Sequence, residues 1–110
     1  MAKHFLKDKK ITILEKYTGQ DEYGFPIEEL RPVAENIWAY YRHATGKEIY
    51  EAAMFDYVVE AVFKINWRDD IRPGMIIRFR DQDYGITRVD DFEGYKEDLT
   101  IYAYRLEKRG

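Results

Sequence analysis

The side chains best suited to proton transfer near neutral pH are two histidines, His4 and His43, and neither is placed for catalysis. His4 lies in a basic N-terminal stretch with nothing to hold it, and His43 follows Arg42, whose charge disfavours imidazolium if the two are close. Neither has a second histidine at helical or strand spacing, and the chain has no cysteine, so no transition-metal site and no cofactor are expected. Asp81-Gln82-Asp83 and Asp90-Asp91 could offer oxygen ligands to a hard cation, but they lack the glycine and distal glutamate of a calcium loop and read as solvated turns. No Gly-rich phosphate loop and no Gly-x-Ser-x-Gly elbow is present, so the chain does not read as an enzyme. The remaining chemistry is electrostatic. Lys64, Arg68, Arg78, Arg80 and Arg88 would form a basic strip on the polar side of a central sheet, fit to line DNA or a subunit interface. Glu60, Asp69, Asp70, Asp81 and Asp83 interleave with them, and a charge-balanced solvated face is the ordinary outcome.

The elements that would position these groups are strands. From Tyr57 to Trp67 apolar residues fall on alternate positions, with Glu60, Lys64, Asn66 and Arg68 in the other register. Arg72-Pro73-Gly74 supplies a turn, Met75 to Phe79 a second strand, and Asp81 to Asp83 another turn before Tyr84 to Val89; three consecutive antiparallel strands predict a meander. Val59, Phe63, Ile65, Met75, Ile77, Ile86, Val89, Leu99 and Ile101 share one register and predict the core. Upstream, Ile11 to Tyr17 reads as a strand, Thr18 to Pro26 as a hairpin loop with Tyr23 and Phe25 exposed or packed locally, and Val33 to Arg42 as a second strand. That strand carries apolar bulk on both faces, so its second face should be covered by a helix or by another subunit. Within His43 to Met54, Thr45 and Glu48 have the spacing of a capping box, giving a short helix or, failing that, an irregular excursion. Asp90 to Asp98 is an acidic loop and Leu99 to Leu106 a last strand. The sum is an all-β fold, a small six-stranded antiparallel barrel or sandwich with one short helix or long loop between the second and third strands.

Length and composition agree. One domain spanning 1–110 is expected from 110 residues, with 1–9 as a mobile arm and 107–110 as a polar tail. A net charge of −3 gives no global basic field for duplex binding. No apolar run suits a signal peptide or a membrane span, so a soluble chain with no membrane partner is expected, and the lack of cysteine fits a reducing compartment. Ten tyrosines, six phenylalanines and two tryptophans favour strands and protein interfaces.

The order of features resembles a known family. Lys10-Ile11-Thr12-Ile13, an Asp21-Glu22-Tyr23-Gly24 turn, a strand ending Ile37-Trp38-Ala39-Tyr40-Tyr41, Thr45-Gly46-Lys47-Glu48, Phe63-Lys64-Ile65-Asn66-Trp67-Arg68, Ile71-Arg72-Pro73-Gly74-Met75, Tyr84-Gly85-Ile86-Thr87-Arg88-Val89 and Leu99-Thr100-Ile101 follow one another as in the head-tail joining, or head closure, proteins of tailed bacteriophages and prophages. The similarity covers Lys10 to Leu106; the acidic balance around Asp90 to Asp98 departs from it. The resemblance implies a non-catalytic β-barrel made in the host cytoplasm and housed in the virion. There it would form a homo-oligomeric ring under the portal, retain packaged DNA and dock the tail, with the portal or an adaptor, a tail completion or terminator protein and the DNA itself as partners. Tyr23, Phe25, Ile49, Tyr50, Met54 and Phe55 are the candidate interface residues, together with the Lys3 to Lys10 arm; Lys64, Arg68, Arg78 and Arg80 are the candidate channel lining. A monomer in isolation is expected, with Ala44 to Phe55 fixed by neighbours on assembly. The competing reading is a single-stranded nucleic-acid-binding barrel, and a small ligand-binding or enzymatic barrel is a third.

Overall fold

The computed structural model describes residues 6–91, 94 and 97–107. Six antiparallel strands, β1 (Lys9–Gln20), β2 (Pro26–His43), β3 (Ala61–Asn66), β4 (Ile76–Phe79), β5 (Gln82–Asp90) and β6 (Asp98–Arg105), close into a barrel in the order β1-β2-β3-β6-β5-β4. One helix, α1 (Gly46–Met54), joins β2 to β3. The barrel is thus the outcome of the barrel-or-sandwich expectation, and closure removes the open edges a small sheet would otherwise present.

The core follows the period-two register. Phe63 and Ile101 are fully buried and paired across β3 and β6, Ile13 and Ile77 likewise across β1 and β4. All of the expected core residues are buried except Val89, which is partly buried against the others. Gly85 sits beneath the ring of its cross-strand partner Tyr104, where a Cβ would come within 2.9 Å of that ring.

The meander expected of β3, β4 and β5 is not formed. β3 lies between β2 and β6, while the β4–β5 hairpin pairs through β4 with β1 and through β5 with β6. The residues after β3 do not turn straight back; Ile71 and Met75 of this connection are both in the core, so burying them draws the chain across the barrel before β4 begins. Arg68 braces the crossing with two hydrogen bonds to Asp70, at 2.9 and 2.7 Å. The strand expected from Tyr57 begins only at Ala61, because Asp56 has φ 63° and the Tyr57 N–H donates to the Ala52 carbonyl at the helix end.

β1 and β2 are longer than the turn formers Gly19, Pro26 and Pro32 implied. Pro32 opposes Leu14 where the register shifts, a place where a missing N–H costs little. A second irregularity at Asn36, with φ 50°, lets two residues of β2, Glu35 and Asn36, face one of β1, Thr12, and the Asn36 N–H reaches Thr12 Oγ1 at 3.4 Å. Of the two covers expected for the outer face of β2, a helix or another subunit, the helix does not supply one: Trp38 is 55% exposed, with the Lys10 ammonium 4.9 Å from its ring, and α1 has no buried residue.

The β4–β5 hairpin closes through Arg80 and Asp81, with φ 51° and 61°, the two left-handed residues of a type I′ turn. Asp81 is among the residues that tolerate this geometry, but Arg80 is not. Replacing the pair by Asn-Gly should raise stability by about 1 kcal/mol in urea titration, and a loss would show that the Arg80 guanidinium over the Phe79 ring, at 4.7 Å, outweighs the backbone strain.

The mobile-arm expectation falls partly on residues 1–5, His4 included, and the tail expectation on 108–110; these lie outside the described residues, as do four residues of the acidic loop, 92, 93, 95 and 96. No helix among the described residues is long and apolar enough to cross a membrane.

Candidate functional site

Two exposed apolar surfaces stand out, and the first is a consequence of the unequal strand lengths. β4 pairs with β1 only from Thr12 to Leu14, and β3 pairs with β2 only from Tyr40 to His43. Beyond Leu14 and before Pro32 the two long strands therefore pair only with each other, as a two-stranded arm reaching about 20 Å from the barrel at the usual rise per residue. The molecule measures 60 × 28 × 28 Å. Every residue from Lys16 to Pro32 is exposed except Gly19, which is half-buried. Such a ribbon is marginal alone in water, so its local contacts matter. Tyr17 lies over Gly19, where a Cβ would come within 2.9 Å of the ring, and the Arg31 guanidinium stacks 3.3 Å from the Tyr17 ring centroid while bonding Glu29.

The tip is built by Asp21. Its Oδ1 accepts from the N–H groups of Tyr23 and Phe25, both at 2.9 Å, and its carbonyl accepts from Gly24 at 3.0 Å, where φ is 81°. With the backbone satisfied, Tyr23 and Phe25 point into solvent at 77% and 66% exposure. The Asp-Glu-Tyr-Gly order is thus one carboxylate to pin the turn, one glycine to close it, and an aromatic held outward.

The second surface is α1 and the chain after it. Thr45 caps the helix in a complete capping box with Glu48. Ile49, Tyr50, Met54 and Phe55 are all exposed, joined by Tyr57 and Val58, which alternation had assigned to a strand. What ties the helix to the barrel is a bidentate pair: Arg42 on β2 donates to Glu48 at 2.6 and 2.9 Å. Arg42 foremost, with the Thr45 N–H and hydroxyl, holds the Glu48 carboxyl down at about 2, below its ordinary 4.5. A lowered carboxyl stabilises above its unfolded pKa and loses that contribution as pH falls, so the tether should be intact above pH 4.5 and gone as pH drops through about 2. Glu48→Gln should weaken the helix at neutral pH by about 1–2 kcal/mol, and should remove the additional acid-induced loosening seen by hydrogen exchange of Ile49 to Ala53 in the wild type. Equal acid sensitivity in both proteins would show that another group holds the helix.

Between α1 and the barrel's outer wall lies a cleft of about 440 Å³, lined by Ala52, Met54, Phe55 and Tyr57 on one side and by Thr87, Arg88 and Tyr102 on the other. Burial raises the Tyr102 hydroxyl above its ordinary pKa.

The basic residues are not brought together. Lys64 is on β3 and Arg78 on β4, strands that are not neighbours in the barrel, while Arg68 follows β3 and Arg80 occupies the β4–β5 turn. Arg78 makes two hydrogen bonds to Asp83, at 2.9 and 3.2 Å, and Arg68 is held by Asp70, and without the β3–β4 pairing the expected strip is spread around the barrel. His43 stands edge-on to Tyr41 at a barrel mouth. Among the described residues no group of His, Asp or Glu side chains is gathered to hold a metal.

The family described as phage head completion protein matches residues 7–106. No curated protein matches the chain. Among solved structures, protein SF1141 from Shigella flexneri 2a has the same fold, with TM-score 0.76 at 18% identity over 92% of this chain and 94% of that one. A chain in the virion of a native gene transfer agent particle is similar with TM-score 0.56 at 13% identity, over 90% and 94%.

Proposed function

Since the chain belongs to the phage head completion protein family, we propose that this phage head structural protein works as a head-tail connector subunit, assembling as a ring under the portal, where it retains packaged DNA and offers the tail its docking surface. The virion is then its site of action, and the portal or an adaptor and a tail completion protein are its neighbours. A similar fold occurs in the gene transfer agent virion, which supports this placement.

The observation that carries the reading is the arm. A ribbon from Lys16 to Pro32 with almost no buried residue, ending in two solvent-facing aromatics, adds little to the stability of its own barrel and is suited to a partner. Electron microscopy of the purified chain mixed with its cognate portal tests the reading. Ring density on the portal's tail-facing side is the expected image, and bare portals at saturating protein would overturn the proposal. Arg68 and Arg78, neutralised by carboxylates, offer little to a single strand, so binding to single-stranded DNA should be weak at physiological salt.

A further inference from the structure

We propose that the arm tip of one copy seats in the cleft beneath α1 of the next, with Tyr23 and Phe25 filling the space between the helix and the outer wall. The inference rests on the connector reading for its context, and on four features of the fold for its substance.

The first is placement. In the closed order β1-β2-β3-β6-β5-β4 the arm leaves from β1 and β2, and the cleft floor, Arg88 and Tyr102, belongs to β5 and β6 across the barrel. A tip on one side and a receptor on the other cannot meet within one molecule, and between molecules they give a heterologous contact that repeats from copy to copy. The second is size. A cleft of about 440 Å³ is within the range that takes a small ligand, and two aromatic side chains bring the kind of compact apolar load such a space accepts. The third is the unfilled state of the receptor. α1 has no buried residue although it stands beside the wall, so Met54 and Phe55, at 64% and 72% exposure, have apolar surface that an inserted ring would cover. The fourth is charge. Glu22 is exposed beside Tyr23 at the tip, and the Arg88 side chain at the cleft is 61% exposed, 3.5 Å from Asp90; the lining carboxylates Glu48 and Glu51 face Arg42 and Lys47, at 2.6 and 3.9 Å, so an incoming carboxylate meets Arg88 as a cation with room for a second partner.

A contact of this kind covers far less than a standard interface, which keeps the free protein monomeric when dilute and lets a ring form where copies are held close together.

The absence of cysteine makes the test clean. Glu22→Cys places a thiol at the tip and Glu51→Cys places one on the cleft lining, each leaving the aromatics in place. The two variants are mixed at high concentration and oxidised mildly. The mixed disulfide should exceed either homodimer about tenfold. Adding Tyr23→Ser and Phe25→Ser to the Glu22→Cys chain should abolish that excess without moving the thermal midpoint. Homodimers and heterodimers in random proportion, a dominant tip-to-tip disulfide, or no disulfide at all would overturn the seating. Portal binding of the wild type is read separately: a chain that decorates portals but gives no mixed disulfide refutes this contact alone, and one that does neither refutes the connector reading as well.

Discussion

Phe63→Ala should destabilise the protein by about 3–5 kcal/mol, the largest loss expected of a single substitution here. Phe63 is fully buried at the centre of an aromatic cluster, with ring centroids 5.2 Å from Tyr41, 5.8 Å from Phe79 and 5.3 Å from Tyr84. These rings come from β2, β4 and β5, so the deletion strips contacts from one residue on each of three other strands. Collapse around the void is resisted because closure fixes every strand against two neighbours. A domain of this size is commonly stable by only about 5–15 kcal/mol, so the variant should melt on the order of 15 °C lower. Urea titration with matched slopes measures it. A loss under about 1 kcal/mol would mean that the barrel repacks freely.

How much of this was legible depended on where two signals agreed. From Ala61 to Ile65 alternation and β-branched content point the same way, and the inward register was read as it stands. Val62 was not: it is fully buried in the outward register, opposite Tyr102, and period two gives no sign that an outer position will be covered. The topology was hidden for a different reason. Arg72-Pro73-Gly74 does form a turn, with the Gly74 φ at 93°, but a turn signal does not say which strand it returns to; only the burial of Ile71 and Met75 decides that the chain crosses. Strand length failed at Pro26 and Pro32, where breakers are tolerated because β2 has one edge unpaired along the arm.

The candidate surfaces were read more fully than their geometry. Tyr23 and Phe25 sit among turn formers, which keeps aromatics out of a core, and Thr45 with Glu48 announced the helix start. The role of Arg42 as tether had no signal, since the capping box explains Glu48 without it and the pair spans a strand end and a helix. Tyr57 and Val58 were assigned to a strand by alternation and instead extend the exposed helix surface, because the Asp56 backbone turns the chain. Likewise Ile27 and Leu30, 39% and 37% exposed, become arm residues only once β1 and β2 outrun their neighbours.

Assembly on the portal should be lost, or weakened by about 2 kcal/mol or more, in Tyr23→Ala and in Phe25→Ala, while the thermal midpoint stays within the scatter of surface substitutions. The two halves of that expectation have one cause. At 77% and 66% exposure neither ring stabilises its own chain, and the turn beneath them is held by Asp21 and Gly24, which the substitutions leave alone. A partner would gain what the fold does not use, since covering an exposed aromatic removes a large apolar area from water with only two torsions to fix. A ring subunit that gave about 800 Å² to each of two neighbours, a portal and a tail would commit well over a third of its 8183 Å² surface. The contacts are therefore expected to be smaller than standard, which makes each anchor count and predicts light scattering of a monomer at low concentration for the wild type and both variants. Head-to-tail joining measured with each variant then separates the roles. Variants that join as well as wild type would make the tip ordinary surface, and variants that join poorly but also melt early would show that the rings brace the arm.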